Sequence, residues 1–283
     1  KMSNGKETQA FFSDVVSGGK AQAPIRRWEP EVKLSLSEKK ALRAYMGVGG
    51  HFDEHIACSI PTFREVSIKT ALALADTLPD GARILDVGGS EGTWLKTVVS
   101  LNPAISGDVL DPNADMHRAF EAHPVKGVRF IQECFCMGFD DIPVYKPEST
   151  YDVVHESMTF QFITPDRMSF IEEVKAHLSE GGLFLTEEKL RCGGEEWDDG
   201  EHRKDMFKSK YFTLSQIGKK ADEVLVGMKS GQAYRDGYVS ILQGHFSHVA
   251  QYWRAGNFYG YVCSDSRENL LKFMLAFGPE LYW

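Results

Sequence analysis

The sequence predicts an α/β fold: a Rossmann-like, mostly parallel sheet with a closing antiparallel strand, N-terminal helices before it and a helical insertion within it. Three observations carry that prediction. Short aliphatic or β-branched runs recur at Arg83–Val87, Ile105–Leu110, Val128–Ile131, Tyr151–His155 and Leu183–Thr186. Helical stretches at Thr93–Ser100, Ala114–Ala122 and Pro165–Leu178 separate several of them, and such alternation implies a parallel sheet with helices on both faces. The strands are apolar almost throughout, as burial of both faces requires.

In chain order, about the first 30 residues are polar, carry Gly and Pro without a clear period, and read as an arm. Ser35-x-x-Glu38 has capping-box form and opens an amphipathic stretch that Gly47, Gly49 and Gly50 end. Pro61 starts a second helix to about Leu78, with Val66, Ala71, Leu72 and Ala75 on its apolar side. From Arg191 to Gly231 the chain is polar and helix-like, an insertion fit for a lid or an interface. Gln251–Trp253 and Phe258–Cys263 form a closing antiparallel pair turned at Gly256-Asn257, and Leu270–Phe277 is a last helix. The division is therefore 1–80 arm and helical cap, 81–190 core, 191–250 helical insertion, and 251–283 closing strands and C-terminal helix.

Composition narrows the function. A net charge of −8 does not advertise a nucleic-acid partner and favours a small-molecule substrate. The five cysteines, Cys58, Cys134, Cys136, Cys192 and Cys263, are odd in number and irregularly spaced, which fits a reducing compartment better than a disulfide framework or a zinc site. No apolar run approaches the roughly 18 residues of a membrane span. Residues 1–23 lack the apolar centre of a signal peptide, so the cytoplasm is the expected location.

The motif that matters is Ile84-Leu85-Asp86-Val87-Gly88-Gly89-Ser90-Glu91-Gly92: an apolar strand, an acid, a glycine-rich turn, then a helix. Gly88 lets the backbone turn sharply and approach a ligand, Gly89 and Ser90 continue the loop, and Gly92 permits a tight helix start. Free N–H groups at that helix start favour a polar or anionic ligand group. Asp111 ends the second strand 25 residues after Asp86, the span of one βαβ unit, and Pro112 follows it. An acid there can accept both hydroxyls of a ribose. Nicotinamide dinucleotides and S-adenosyl-L-methionine (SAM) both use this architecture. The dinucleotide pattern G-x-G-x-x-G is absent, since residue 93 is Thr, whereas D-x-G-x-x-x-G resembles the first motif of class I SAM-dependent methyltransferases. SAM is the expected cofactor.

Further stretches resemble the carboxy-S-adenosylmethionine synthase family, which makes a cofactor for tRNA wobble-uridine modification. They are Ser59-Ile60-Pro61-Thr62-Phe63, Thr159-Phe160-Gln161-Phe162-Ile163-Thr164-Pro165, Gly181–Glu187, and Tyr211-Phe212-Thr213 with Gln216-Ile217, and the likeness covers roughly residues 50 to 263. The resemblance implies that Phe63 packs near the cofactor, Gly88 and Ser90 line its methionine end, and Asp111 holds the ribose. Cys134 and Phe135 flank the adenine, and Ser157 lies beside the sulfonium. It also implies carboxy-SAM as an alternative cofactor, and a homodimer. The departures are Phe63 for tyrosine, Cys134 for aspartate, Ser157 for asparagine, and Ala221 for the arginine that grips the extra carboxylate. Alanine cannot make that two-pronged contact; Lys219 and Lys220 stand beside it.

Ordinary methyl transfer to a small-molecule acceptor is thus the leading expectation. Carboxy-SAM synthesis from SAM and prephenate is the first alternative, and a non-catalytic SAM-binding partner in RNA modification the second. Methyl transfer needs alignment and, for a protic acceptor, a base at the carboxyl ends of the strands. His155 and Glu156 end the fourth strand and Glu187 and Glu188 the fifth, so His155 and Glu187 are the catalytic candidates, each with a structural alternative: a packed imidazole for the histidine, and a solvated strand end or a salt bridge to Lys189 or Arg191 for the glutamates. His51 and His55 lack a third ligand, so no metal is expected. Tyr234, Tyr238, His245, His248 and Tyr252 are read as core more readily than as a pocket wall.

Overall fold

The computed structural model describes residues 56–137, 142–163, 165–221 and 229–283. The N-terminal arm, the Ser35-x-x-Glu38 stretch and His51–His55 lie outside the described residues. An eight-stranded sheet runs in the order β3-β2-β1-β4-β5-β7-β6-β8. Its strands are β1 (Arg83–Val87), β2 (Ser106–Leu110), β3 (Val128–Ile131), β4 (Tyr151–Ser157), β5 (Leu178–Lys189), β6 (His248–Ala255), β7 (Phe258–Ser264) and β8 (Leu281–Tyr282). Strands β1 to β5 pair in parallel, and β7 inserts antiparallel between β5 and β6.

Helices α1 (Phe63–Thr77), α2 (Thr93–Leu101) and α8 (Arg267–Phe277) are associated with one face of the sheet, and α4 (Met168–His177) and α7 (Arg235–His245) with the other. Helix α3 (Ala114–Glu121) follows β2, and α5 (Gly194–Lys208) and α6 (Leu214–Lys220) fall in the insertion. Two apolar cores result. One joins Ile84, Val109, Val153 and Leu185 to α1, α2 and α8; the other joins Leu85, Val154, Phe184 and Tyr259 to α4 and α7.

Two differences from the sequence reading have physical reasons. Strand β5 is longer than Leu183–Thr186 because β7 pairs with it as far as Lys189↔Phe258, which keeps Glu187, Glu188 and Lys189 inside the sheet. Helix α4 starts at Met168 rather than Pro165, where the Asp166 side chain accepts the Met168 N–H at 3.0 Å. The closing hairpin turns at Gly256, whose φ of 60° supplies the positive backbone angle that tight hairpin turns use.

Candidate active site

The carboxyl end of β1 builds the site. Gly88 has φ 65°, and its N–H donates to Leu110 O at 2.7 Å, tying the turn to β2. A side chain at Gly88 would collide with Thr159, and one at Gly92 would meet Val109 Cγ2 at 2.8 Å, so both glycines are demanded by close packing as well as by their left-handed angles. Gly89 leaves room for the Asp86 carboxylate beneath it.

Ser90, with φ 50°, aims its N–H at Asp111 Oδ2 (3.2 Å), and Asn113 N–H donates to Asp111 Oδ1 (2.9 Å). The Asn113 side chain then caps α3 through Asp115 N–H at 2.8 Å. Burial pushes the Asp111 carboxyl up to about 6, against those two N–H bonds. Each carboxylate oxygen keeps an acceptor site beyond its N–H bond. Gly88, Gly89, Ser90 and Pro112 stay half-buried, at the surface of the turn. This donor set fits a nucleoside: two free acceptor positions for two ribose hydroxyls, next to a backbone elbow.

One strand over, the parallel register sets Asp86 beside His155. His155 Nδ1 and Asp86 Oδ1 are 2.7 Å apart, and the imidazole stacks on Trp94 with ring centroids 3.7 Å apart. The indole N–H donates to Thr70 Oγ1 of α1 at 3.0 Å. His155 Nε2 is buried and has no hydrogen-bond partner among the described residues. The next strand adds Glu187, which pairs in register with Ser157 and is fully buried. Ser157 Oγ donates to Glu187 Oε2 at 2.8 Å and Tyr252 O–H to Glu187 Oε1 at 3.0 Å. Burial raises the Glu187 carboxyl above the ordinary range, opposed first by His155 and then by these two hydroxyls.

The opposite face carries a second buried polar set. Arg167 grips Glu188 with Nε at 3.0 Å and Nη2 at 2.8 Å, and also donates to Gly231 O at 3.0 Å. Burial and the Glu188 charge push Glu156 well up, while Thr186 Oγ1 donates to it. Glu187 and Glu188, neighbours in sequence, therefore serve different faces. Glu188 is committed to Arg167 rather than to Lys189 or Arg191, and Lys189 pairs with Glu201 at 2.7 Å.

Among the other residues singled out in the sequence, Phe63 is half-buried in the first turn of α1, where Trp253 Nε1 donates to Thr62 Oγ1 at 2.9 Å. Cys134 lies beyond β3, bridged to Val144, and Phe135 sits in the second core between Phe160 (6.0 Å) and His177 (5.3 Å). Tyr238 is core and Tyr234 is exposed. Trp94, Thr159 and Arg167 were not anticipated. Thr159 lay inside the Thr-x-Gln-Phe stretch, the one available signal; Trp94 and Arg167 act through contacts distant in sequence. Among the described residues no helix is long and apolar enough to cross a membrane.

A sheet in this order with a reversed β7, a glycine elbow after β1 and an acid after β2 defines the class I methyltransferase fold. The chain belongs to the methyltransferase domain family, whose profile matches residues 62–281, and the family's cofactor is SAM. The carboxy-S-adenosyl-L-methionine synthase of Campylobacter fetus is 26% identical over 49% of this chain and 58% of its own length, so the match spans little more than half of that relative. The corresponding synthase of Trichodesmium erythraeum is 24% identical over 76% of this chain and 85% of its own. Among solved structures, human N-acetylserotonin methyltransferase in complex with SAM covers 92% of this chain and 67% of its own, at 16% identity and a TM-score of 0.50.

Proposed function

We propose that this chain transfers the methyl group of SAM to a small-molecule acceptor, in the cytoplasm and as a homodimer. The observation that carries the reading is the Ser90 N–H to Asp111 bond at 3.2 Å, which presents an acid and a glycine elbow together at the carboxyl edge of the sheet. Asp111 holds the ribose; Gly88, Gly89 and Ser90 receive the amino-acid end; Phe63, Cys134 and Phe135 serve the adenine side. SAM, when bound, supplies a methyl carbon that an acceptor lone pair attacks as the carbon–sulfur bond opens. Glu187, fixed by Ser157 and Tyr252, takes the proton that a hydroxyl or amine acceptor loses. His155, clamped by Asp86 and Trp94, steadies that carboxylate electrostatically. The odd number and irregular spacing of the five cysteines favour the reducing compartment. Exposed Met206 and Leu214 on the insertion favour a subunit contact there.

A second reading, carboxy-SAM synthase, is favoured by the relatives and by the Gln161 stretch, where the Gln161 amide donates to Met158 O at 3.0 Å. Ala221 weighs against it. Calorimetry with SAM and S-adenosylhomocysteine, on wild type and Asp111→Ala, tests cofactor binding. No binding to wild type at millimolar ligand would overturn the reading. The mass of the ligand carried through purification separates the two activities, since a carboxylated cofactor is heavier by one carbon dioxide. Light scattering tests the dimer.

A further inference from the structure

The glycine elbow is held from outside its own loop. The peptide plane between Val87 and Gly88 starts the turn, and both of its polar ends are tied to neighbouring strands. On the β2 side, the Gly88 N–H donates to Leu110 O at 2.7 Å. On the β4 side, the Thr159 hydroxyl lies 3.1 Å from Val87 O and 3.2 Å from Ser157 O and shares its one proton between them. Because a peptide is rigid, two opposed bonds fix the tilt of the whole plane. The Thr159 side chain also covers the bare Cα of Gly88: an added Cβ there would stand 2.2 Å from Thr159 Oγ1 and 2.4 Å from its Cγ2. The elbow therefore cannot lean toward Thr159 without a clash.

The local backbone is built to bring Thr159 to that point. Met158, directly after β4, has φ 58°, a left-handed angle that a residue other than glycine keeps only under constraint. Its N–H donates to Glu187 O at 2.7 Å, and its carbonyl accepts the Gln161 amide at 3.0 Å. The Thr159 N–H donates to the buried Glu156 at 3.3 Å, and the Thr186 hydroxyl of β5 meets the other oxygen of that carboxyl. The turn is thus braced by β4 and β5, whereas the hydroxyl it carries acts on β1. Thr159 stays half-buried, like Gly88, Gly89 and Ser90. Packing alone would be served as well by valine, which has the same shape but cannot donate to Val87 O.

We propose that Thr159 is a positioning residue for the cofactor. Its hydroxyl and methyl set the angle of the Val87–Gly88 peptide and so hold Gly88, Gly89 and Ser90 where the amino-acid end of SAM binds. This rests on the reading of the elbow as the seat of that end. Thr159 acts through the backbone and makes no contact with the cofactor itself.

The test is calorimetric titration of the full chain with S-adenosylhomocysteine, which carries the amino-acid end, and with 5′-methylthioadenosine, which lacks it. Thr159→Val keeps the shape and removes the hydroxyl; Thr159→Ser keeps the hydroxyl. In Thr159→Val, S-adenosylhomocysteine is expected to bind roughly ten-fold more weakly, the scale of one lost hydrogen bond, while 5′-methylthioadenosine stays within about three-fold of wild type. Thr159→Ser should bring S-adenosylhomocysteine back to within about three-fold of wild type. Should the melting transition show that Thr159→Val does not fold, Thr159→Ala is read in its place. Unchanged S-adenosylhomocysteine binding without the hydroxyl, an equal loss for both ligands, or no rescue by serine overturns the proposal and leaves the cofactor reading standing. A wild type that binds neither ligand overturns both.

Discussion

His155 and Asp86 occupy paired positions on β4 and β1 and hold each other at 2.7 Å in an interior where each residue is no more than 3% exposed. Trp94 closes the other side of the imidazole, so neither group has water to fall back on. Removing one partner of such a buried pair strands the other, at a cost of roughly 3–5 kcal/mol. His155→Leu is therefore expected to lose about that much stability, and Asp86→Asn less, because an amide still offers the imidazole a partner. The double variant should be at least ~1 kcal/mol more stable than the sum of the singles predicts. Chemical denaturation of the four proteins measures the cycle; strict additivity would show that the two groups do not act as a pair.

Asp111 gives a pH prediction. Its folded pKa of about 6 lies above the ordinary aspartate value of 3.8. Below 3.8 both folded and unfolded chains are protonated and nothing is lost. Between 3.8 and about 6 the unfolded chain ionises first, so stability falls as pH rises, by about 3 kcal/mol in full for this group. The ribose recognition proposed for Asp111 runs the other way, since only the carboxylate offers both oxygens as acceptors. SAM affinity should rise from pH 5 to 7 with a midpoint near 6 and then level. In Asp111→Asn it should be at least ten-fold weaker and flat with pH. A flat profile for wild type in calorimetry would refute Asp111 as the ribose acceptor.

The sheet was readable from residues because its signals are local. The aliphatic runs, the Asp86–Gly92 elbow and the Asp111 acid each lie within a few residues, and β1 and β3 fall where the runs end. The polar ends of β4 and β5 were not readable. Glu156, Glu187 and Glu188 look like solvated strand ends until Arg167, Thr186, Ser157 and Tyr252, brought from up to 65 residues away, satisfy them inside the core. Periodicity also cannot say which of Glu187 and Glu188 faces the elbow. That needed the register with Ser157, and hence the strand pairing.

The role proposed for Glu187 has a kinetic signature. As a base it works only when ionised, and burial raises its carboxyl above the usual glutamate range. The kcat profile should show an acid limb above the ordinary glutamate value, and Glu187→Gln should lower kcat by ~100-fold or more while SAM affinity changes only a few-fold. Tyr252→Phe removes one donor to the ionised form, so the acid limb should move to higher pH with KM nearly constant. An unshifted limb in Tyr252→Phe would mean that another group sets the profile.

Helix α5 is held by charge more than by apolar burial. Glu201 bridges Lys189 at 2.7 Å and Lys204 at 2.6 Å, and Asn257 Nδ2 adds a bond at 3.1 Å. The two lysines pull Glu201 down to about 2, whereas burial and the neighbouring Lys204 and Lys208 charges bring Lys189 down to about 7. The carboxylate is thus strongly stabilised and the Lys189 charge is held at a cost. For Lys189, stability rises with pH between about 7 and the ordinary lysine value of 10.5, where the unfolded chain alone stays protonated. Two opposite substitutions follow. Glu201→Gln takes the carboxylate away from two buried lysines, leaving the Lys204 ammonium without its closest partner and Lys189 without the charge that keeps it protonated, and should lose roughly 3–5 kcal/mol, whereas Lys189→Met, similar in shape and uncharged, leaves Glu201 paired with Lys204 at 2.6 Å and should be neutral or stabilising at pH 7. Thermal melting at pH 7 and pH 9 checks both. Lys189→Met should also abolish the wild-type gain on going to pH 9, and a large destabilisation of that variant would show that the Lys189–Glu201 pair, not the relief of crowded positive charge, holds α5 in place.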